Sequence, residues 1–313
     1  MHQSSHNVQE RMTRAAHSLQ GLSCGDAFGE RFFLHPEVAR SLIEQRALPS
    51  PPWRYTDDTV MAVAIAEVLE EFGEIHEKSL AENFGRHYLA DPQRGYGPAM
   101  HKLLPELARA PSRWKEKSEA LFDGAGSFGN GSAMRVAPLG AYFADDLDAV
   151  LNQAEYSAVV THSHPEAVAG AIAVAIAAAL ACEHKTAPLT PTEFLQRIHH
   201  FTPTSEVRMA IERALALPAN TTVETAVSAL GNGARVSAQD TAPFSLWVAA
   251  HHLGSYQDAL WTTVSGLGDR DTTCAIVGGI VAMSAGVESI PPDWIQAREL
   301  IPAWFLYPNR DPN

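Results

Sequence analysis

The chain has 313 residues, 46% of them apolar, enough for one large domain or two ordinary ones with a buried core. Against 36 acidic residues stand 23 basic ones, giving a formal net charge of −13 that excludes a broad nucleic-acid or anionic-membrane surface but leaves room for a local pocket holding one small anion. The three cysteines, Cys24, Cys182 and Cys274, lie far apart without a CxxC pair, so no disulfide framework or cysteine zinc site is expected, and the expected compartment is reducing and cytoplasmic.

In chain order, the opening stretch MHQSSHNVQERMTRAAHSLQG carries no apolar core of a secretory signal. Residues 55–61 read YTDDTVM. Thr56 suits a helix N-cap, with Asp57 and Asp58 in the first turn. Beyond them Met61, Ala64, Ile65, Val68, Leu69 and Phe72 keep the spacing of one apolar helix face, and Glu67, Glu70 and Glu71 fall on the solvated side. A glycine-rich run, GAGSFGNGSAMRVAPLG (124–140), precedes a helix-like segment. Glycine lets a backbone approach a ligand and frees N–H groups for an anion. The run lacks both the Walker lysine and a preceding strand, so neither nucleotide-loop motif is present, and a plain flexible turn is the competing reading. THSHP (161–165) opens an alanine-rich helix expected from His164 to Cys182. Its continuous apolar run from Ala167 is short for a bilayer and fits a buried core helix. Further helices are expected from Val207 to Leu217 and from Thr272 to Ala285. His199–His200 and His251–His252 have no acid context. Punctuation at ALPSPPW (47–53), APSRW (110–114), TAPLTP (186–191) and the C-terminal NRDPN supplies turns but no interdomain linker. Alternating β-type runs are scarce, so one compact all-α domain over residues 1–313 is expected.

Two segments bear on chemistry. Acids in a first turn complement the helix dipole and by themselves need no ion, so YTDDT alone has a plain capping reading. A second acid cluster alters the balance. GLGDRDTT (266–273) sets Asp269 and Asp271 two apart before Thr272 at another helix start. Four carboxylates and two threonine hydroxyls suit a pair of hard cations such as Mg²⁺. The absence of cysteine or suitably spaced histidine argues against zinc, and no calcium-loop pattern occurs.

Together the stretches GLSCGDAFGE (21–30), YTDDTVMA (55–62), GSFGNGSAMRVAPLG (126–140), THSHPEAVAGA (161–171) and GDRDTTCAIVGGIVA (268–282), in that order, resemble the ADP-ribosylglycohydrolase family. RGYG (94–97), which carries Tyr96, is a weaker match. The motif-bearing core spans residues 15–287. The resemblance implies a single orthogonal all-α domain with two Mg²⁺ or Mn²⁺ ions in a cleft. Thr56, Asp57 and Asp58 would hold them from one side and Asp269, Asp271 and Thr272 from the other. It further implies that Gly126, Ser127, Phe128, Gly129, Asn130 and Gly131 hold the phosphates and proximal ribose, with Phe128 covering the ligand, and that His162 and Tyr96 contact it. The implied reaction is hydrolysis of the glycosidic bond between ADP-ribose and an acceptor, with Asp57 and Asp271 serving catalysis through the metals.

The sequence departs from the family's pattern twice. Where the family has a glutamate four residues after G-D-A-x-G, this chain has Phe33; Glu30 stands three residues earlier and Glu37 four later. Glu30 is therefore the nominated acid–base. Arg270 also replaces the small residue usual between Asp269 and Asp271. A two-metal nucleotide phosphohydrolase and a non-catalytic ADP-ribose-binding protein are the alternative readings.

Overall fold

Gly21, Gly25 and Gly29 repeat every four residues and so form one ridge along the first helix, His2–Glu30. That ridge presses on the helix Arg270–Ala285 running the opposite way. A Cβ added at Gly21 would sit 2.3 Å from the Gly278 carbonyl oxygen, at Gly25 2.2 Å from that of Cys274, and at Gly29 2.2 Å from that of Arg270. No side chain fits there, so the two backbones meet directly. Ser18 donates to the Gly279 carbonyl at 2.8 Å, and the Tyr256 hydroxyl to that of Gly21 at 2.6 Å, tying the pair along its length. In this antiparallel register the end of the first helix, with Asp26 and Glu30, lies beside the start of the other, with Asp269 and Asp271.

The computed structural model describes residues 2–302; the C-terminal NRDPN lies outside them. Among the described residues there are sixteen α-helices and no strand, only isolated bridges between Trp53 and Arg298 and between Gly129 and Ser237. The all-α expectation therefore holds. The helix Pro165–His184 is surrounded by the helices Ala137–Tyr142, Leu147–Val159, Ala238–His251 and Arg270–Ala285, with Pro191–Phe201 and Glu206–Ala216 closing the rest. This helix is long and apolar enough to cross a membrane by composition, and most of it is buried in the fold. Alanine and glycine make the close packing workable: a Cβ at Gly140 would stand 2.0 Å from the Ala175 carbonyl oxygen.

The helix Asp57–Phe72 begins as expected. Thr56 is its N-cap, accepting from the Asp58 amide, and Gly73 closes it in the left-handed region at φ 75°. The one-face reading needs correction. Ala62, Val63 and Ala66 are buried too, because the first helix, Glu77–Ala90, Ala137–Tyr142 and Arg270–Ala285 all pack on it. Phe72 is exposed and stacks on His76, while Glu67 is half-buried, bonded to Arg86 and His87. Glu206–Ala216 and Arg270–Ala285 match the expected spans within two residues. Beneath the end of the first helix lies an aromatic cluster, in which Phe28 stacks on Trp294 at 4.5 Å and meets Trp261 edge-on at 5.0 Å.

Candidate active site

Asp26, on the first helix, is wholly buried and aims its carboxylate at the start of Asp57–Phe72. It accepts from the Thr56 amide at 3.0 and 3.1 Å, the Thr56 hydroxyl at 2.9 Å, the Thr59 amide at 3.1 Å and the Thr59 hydroxyl at 2.5 Å. These charge-assisted bonds fix the position of Thr56, Asp57 and Asp58 relative to the first helix. The sequence reading passed over Asp26 because its partners stand some thirty residues further on; its only local signal is the Gly-Asp pair inside GLSCGDAFGE.

The helix behind the second acid cluster starts two residues earlier than expected. Asp269 is the N-cap of Arg270–Ala285, so Asp271 is a first-turn residue rather than part of the loop, and Thr272 lies in the same turn. Asp269 Oδ2 accepts from Asn130 Nδ2 at 2.7 Å, and Asp271 Oδ1 accepts from the Thr272 amide at 2.8 Å. The two clusters share one cavity of about 840 Å³, lined in part by Asp57, Asp58, Asp269, Asp271 and Thr272. That volume suits a ligand of nucleotide size. Thr56, 5% exposed, stands behind Asp58.

The same cavity is lined by Ser127 to Gly131, His162, Tyr96 and the loop residues Arg235 and Val236. Ser127, Asn130, His162 and Tyr96 are buried, while Phe128 is 44% exposed over the opening. The Ser127 and Phe128 amides form no hydrogen bond among the described residues, so they are available to an acceptor. The helix-like segment expected after this loop begins as the three-residue 3₁₀ turn Asn130–Ser132, and the α-helix Ala137–Tyr142 starts later. The unbonded amides are therefore loop amides rather than those of an α-helix terminus. Asn130 donates to the Val236 carbonyl, and Ala238 to that of Phe128, zipping the glycine loop to the segment 232–237. The sequence reading did not single out that segment. Its signal was the pair Gly231 and Gly233 around Asn232, both at positive φ. Gly126 backs on the His162–His164 turn: a Cβ there would stand 2.4 Å from Ser163 Oγ.

Glu30, the nominated acid–base, ends the first helix half-buried beside the acids but does not line the cavity. Burial raises its pKa, as do the charges of Asp26 and Asp269. Glu37 is exposed on the next helix.

Burial dominates the electrostatics. Burial first, and then neighbouring carboxylates, push Asp57 up to about 8 and raise Asp58, Asp269 and Asp271. Asp26 rises less, to about 6, because the threonine bonds favour its charged form. Among the described residues none of these five aspartates has an ion-pair partner, and no group of three or more His, Cys, Asp or Glu side chains forms a ready metal cage. The donor set still fits hard cations. Asp58 Oδ1 is buried with no hydrogen-bond partner, and the Thr56 hydroxyl lies 2.9 Å from both Asp26 and Asp58 with a single proton to give. A buried carboxylate oxygen left bare is costly unless a cation or proton meets it.

Comparison with known proteins bears on the family and the fold. The sequence profile of the family described as ADP-ribosylglycohydrolase matches residues 7–306. ADP-ribosylhydrolase ARH3 of Homo sapiens is 28% identical, the match covering 92% of this chain and 90% of the relative. An uncharacterized protein of Archaeoglobus fulgidus is 32% identical over 88% of each chain. ADP-ribosylarginine hydrolase Tri1 of Pseudomonas putida is 23% identical, over 92% of this chain and 75% of the relative. A solved chain of an ADP-ribosylglycohydrolase-related protein complex has the same fold, with a TM-score of 0.65 at 22% identity over 93% of this chain and 94% of that one.

Proposed function

The chain belongs to the ADP-ribosylglycohydrolase family, and from that premise we propose that it hydrolyses the glycosidic bond joining ADP-ribose to a protein side chain or small acceptor. The observation that supports this reading most is one cavity lined by two unlike sets of residues. Buried aspartates without cationic partners among the described residues form one set, and a glycine loop with unbonded amides at Ser127 and Phe128 forms the other. A diphosphate suits the second set and a polyhydroxy sugar held through cations the first.

In this reading Thr56, Asp57 and Asp58 hold one side of a pair of Mg²⁺ or Mn²⁺ ions, and Asp269, Asp271 and Thr272 the other. When bound, the ions would supply Lewis-acid stabilisation and orientation of the ribose hydroxyls. Asp26 keeps the first ligand trio in place through Thr56 and Thr59. Asn130 holds Asp269. The Ser127 and Phe128 amides and His162 meet the phosphates, and Phe128 covers the nucleoside. Bond cleavage at C1″ builds positive charge on the sugar, which the surrounding carboxylates stabilise. Glu30, the carboxyl beside the cluster that is not in the ligand set, serves as acid–base.

The test is incubation with ADP-ribosylated serine and arginine peptides, ADP-ribosylated DNA and O-acetyl-ADP-ribose, with Mg²⁺ and with EDTA. Release of ADP-ribose only with metal supports the proposal. AMP as product would mean pyrophosphate cleavage. Binding of ADP-ribose without turnover on any substrate would mean a reader that has lost its chemistry.

A further inference from the structure

Arg135 is fully buried, yet among the described residues its guanidinium bonds to no carboxylate. It lies over the Phe84 ring, 4.3 Å from the centroid. Its Nη2 donates to the Ser157 carbonyl and to Thr161 Oγ1, each at 2.9 Å. Thr161 Oγ1 in turn lies 2.7 Å from His162 Nδ1.

These contacts decide where the protons are. A guanidinium only donates, so Thr161 Oγ1 accepts from Arg135. The hydroxyl then has its own proton to place, and Thr161 is wholly buried. His162 Nδ1 is the one acceptor within reach among the described residues. If Nδ1 carried the proton instead, the hydroxyl proton would be left buried without a partner, at a cost of about 1–3 kcal/mol. Nδ1 is thus the acceptor, and the ring proton resides on Nε2. Nε2 forms no hydrogen bond among the described residues and sits against the glycine loop: a Cβ at Gly131 would be 2.8 Å from it and one at Gly129 3.2 Å.

We infer that Arg135, a positioning residue acting through Thr161, locks His162 as its Nε2–H tautomer and so makes it an obligate donor to a phosphate oxygen of the ligand. Assigning that ligand group rests on the function proposed above; the tautomer does not. Burial, reinforced by the nearby Arg135 charge, also presses the His162 pKa down to about 3, so the ring stays a neutral donor across the working range. The role explains a buried cation on this helix-free stretch: it keeps Thr161 from accepting from His162 and turning the ring's donor away from the cavity.

Long-range ¹H–¹⁵N correlation on ligand-free protein labelled at histidine nitrogen reads the tautomer directly. The His162 resonances are assigned by their loss in His162→Asn, which separates them from the other histidines. Wild type is expected to show unprotonated Nδ1 and protonated Nε2 from pH 5 to pH 8. Thr161→Val removes the relay proton, so the two nitrogens should move toward averaged shifts and calorimetric affinity for ADP-ribose should fall about tenfold, the scale of one hydrogen bond. Thr161→Ser restores both. Protonated Nδ1 in the wild type overturns the inference whether or not any variant folds, as does an unchanged spectrum in Thr161→Val. An Nε2–H spectrum in a protein that fails to bind ADP-ribose supports the relay and overturns the proposed function.

Discussion

Arg270 lays its guanidinium over the Phe33 ring, 5.0 Å from the centroid. These are the two positions at which the sequence departs from the family's pattern, and they touch. Although Asp269 and Asp271 flank it, Arg270 forms no ion pair with either among the described residues, and its Nε is buried without a partner. In this pair an aromatic face takes up a cation beside the acids. A double-mutant cycle of Phe33→Ala and Arg270→Ala, followed by urea denaturation, should give a coupling of about 0.5–1 kcal/mol. A coupling of zero would show that the contact has no energetic weight.

Asp57 and Asp271 stand at opposite sides of the proposed metal pair. Asp57→Ala or Asp271→Ala should abolish turnover while circular dichroism and cooperative unfolding persist. Calorimetric titration with Mg²⁺ should lose at least one binding event. Wild-type metal affinity in both variants rules the ligand assignment out.

The acids also dictate a pH dependence in EDTA. Asp57 has an ordinary value of 3.8 and is raised to about 8 in the fold, so between those values the folded chain holds a proton that the unfolded chain has lost. Stability therefore falls as pH rises through this window. Below about 6.5 the neutral buried His162 works the other way, since acid favours the unfolded chain in which it can charge. The clean interval is thus pH 6.5 to 8, where the melting temperature should decline. Asp57→Asn should flatten the decline, and saturating Mg²⁺ should raise the curve at pH 8. A melting temperature that rises over this interval in EDTA contradicts the burial argument.

The glycine loop is tested by bulk. Ser127 is 4% exposed and lines the cavity, so Ser127→Trp has no room without displacing a neighbour or the ligand. ADP-ribose binding should be lost by calorimetry while Mg²⁺ binding remains. An unchanged dissociation constant would place the ligand elsewhere.

Glu30→Gln keeps shape and hydrogen bonding but removes charge and basicity. If Glu30 is the acid–base, turnover falls by roughly a hundredfold or more with ADP-ribose affinity little altered. Near-normal turnover at saturating Mg²⁺ would take the acid–base role away from Glu30.

How far the sequence disclosed this site depends on whether the relevant partner is local. Thr56 as a cap, Asp57 and Asp58 in a first turn, and the buried alanine helix follow from spacing within one segment, and they were legible. Asp26 was not, because an aspartate inside a helix gains its meaning only from Thr56 and Thr59. The same holds for Phe72, exposed because its helix is enclosed elsewhere, and for the Phe33–Arg270 contact, whose members were noticed separately. The segment 232–237 escaped because its loop is defined by pairing with Phe128 and Asn130.

The backbone contact of Gly21, Gly25 and Gly29 with the helix at Arg270, Cys274 and Gly278 has a temporal consequence. The acids it brings together come from opposite ends of the chain, and the register between them is set by main chain, which no side-chain rearrangement can substitute. During synthesis the first helix must wait for nearly the whole polypeptide before its glycine face finds a mate. Until then that glycine face has no partner, and the acids at its end cannot be assembled.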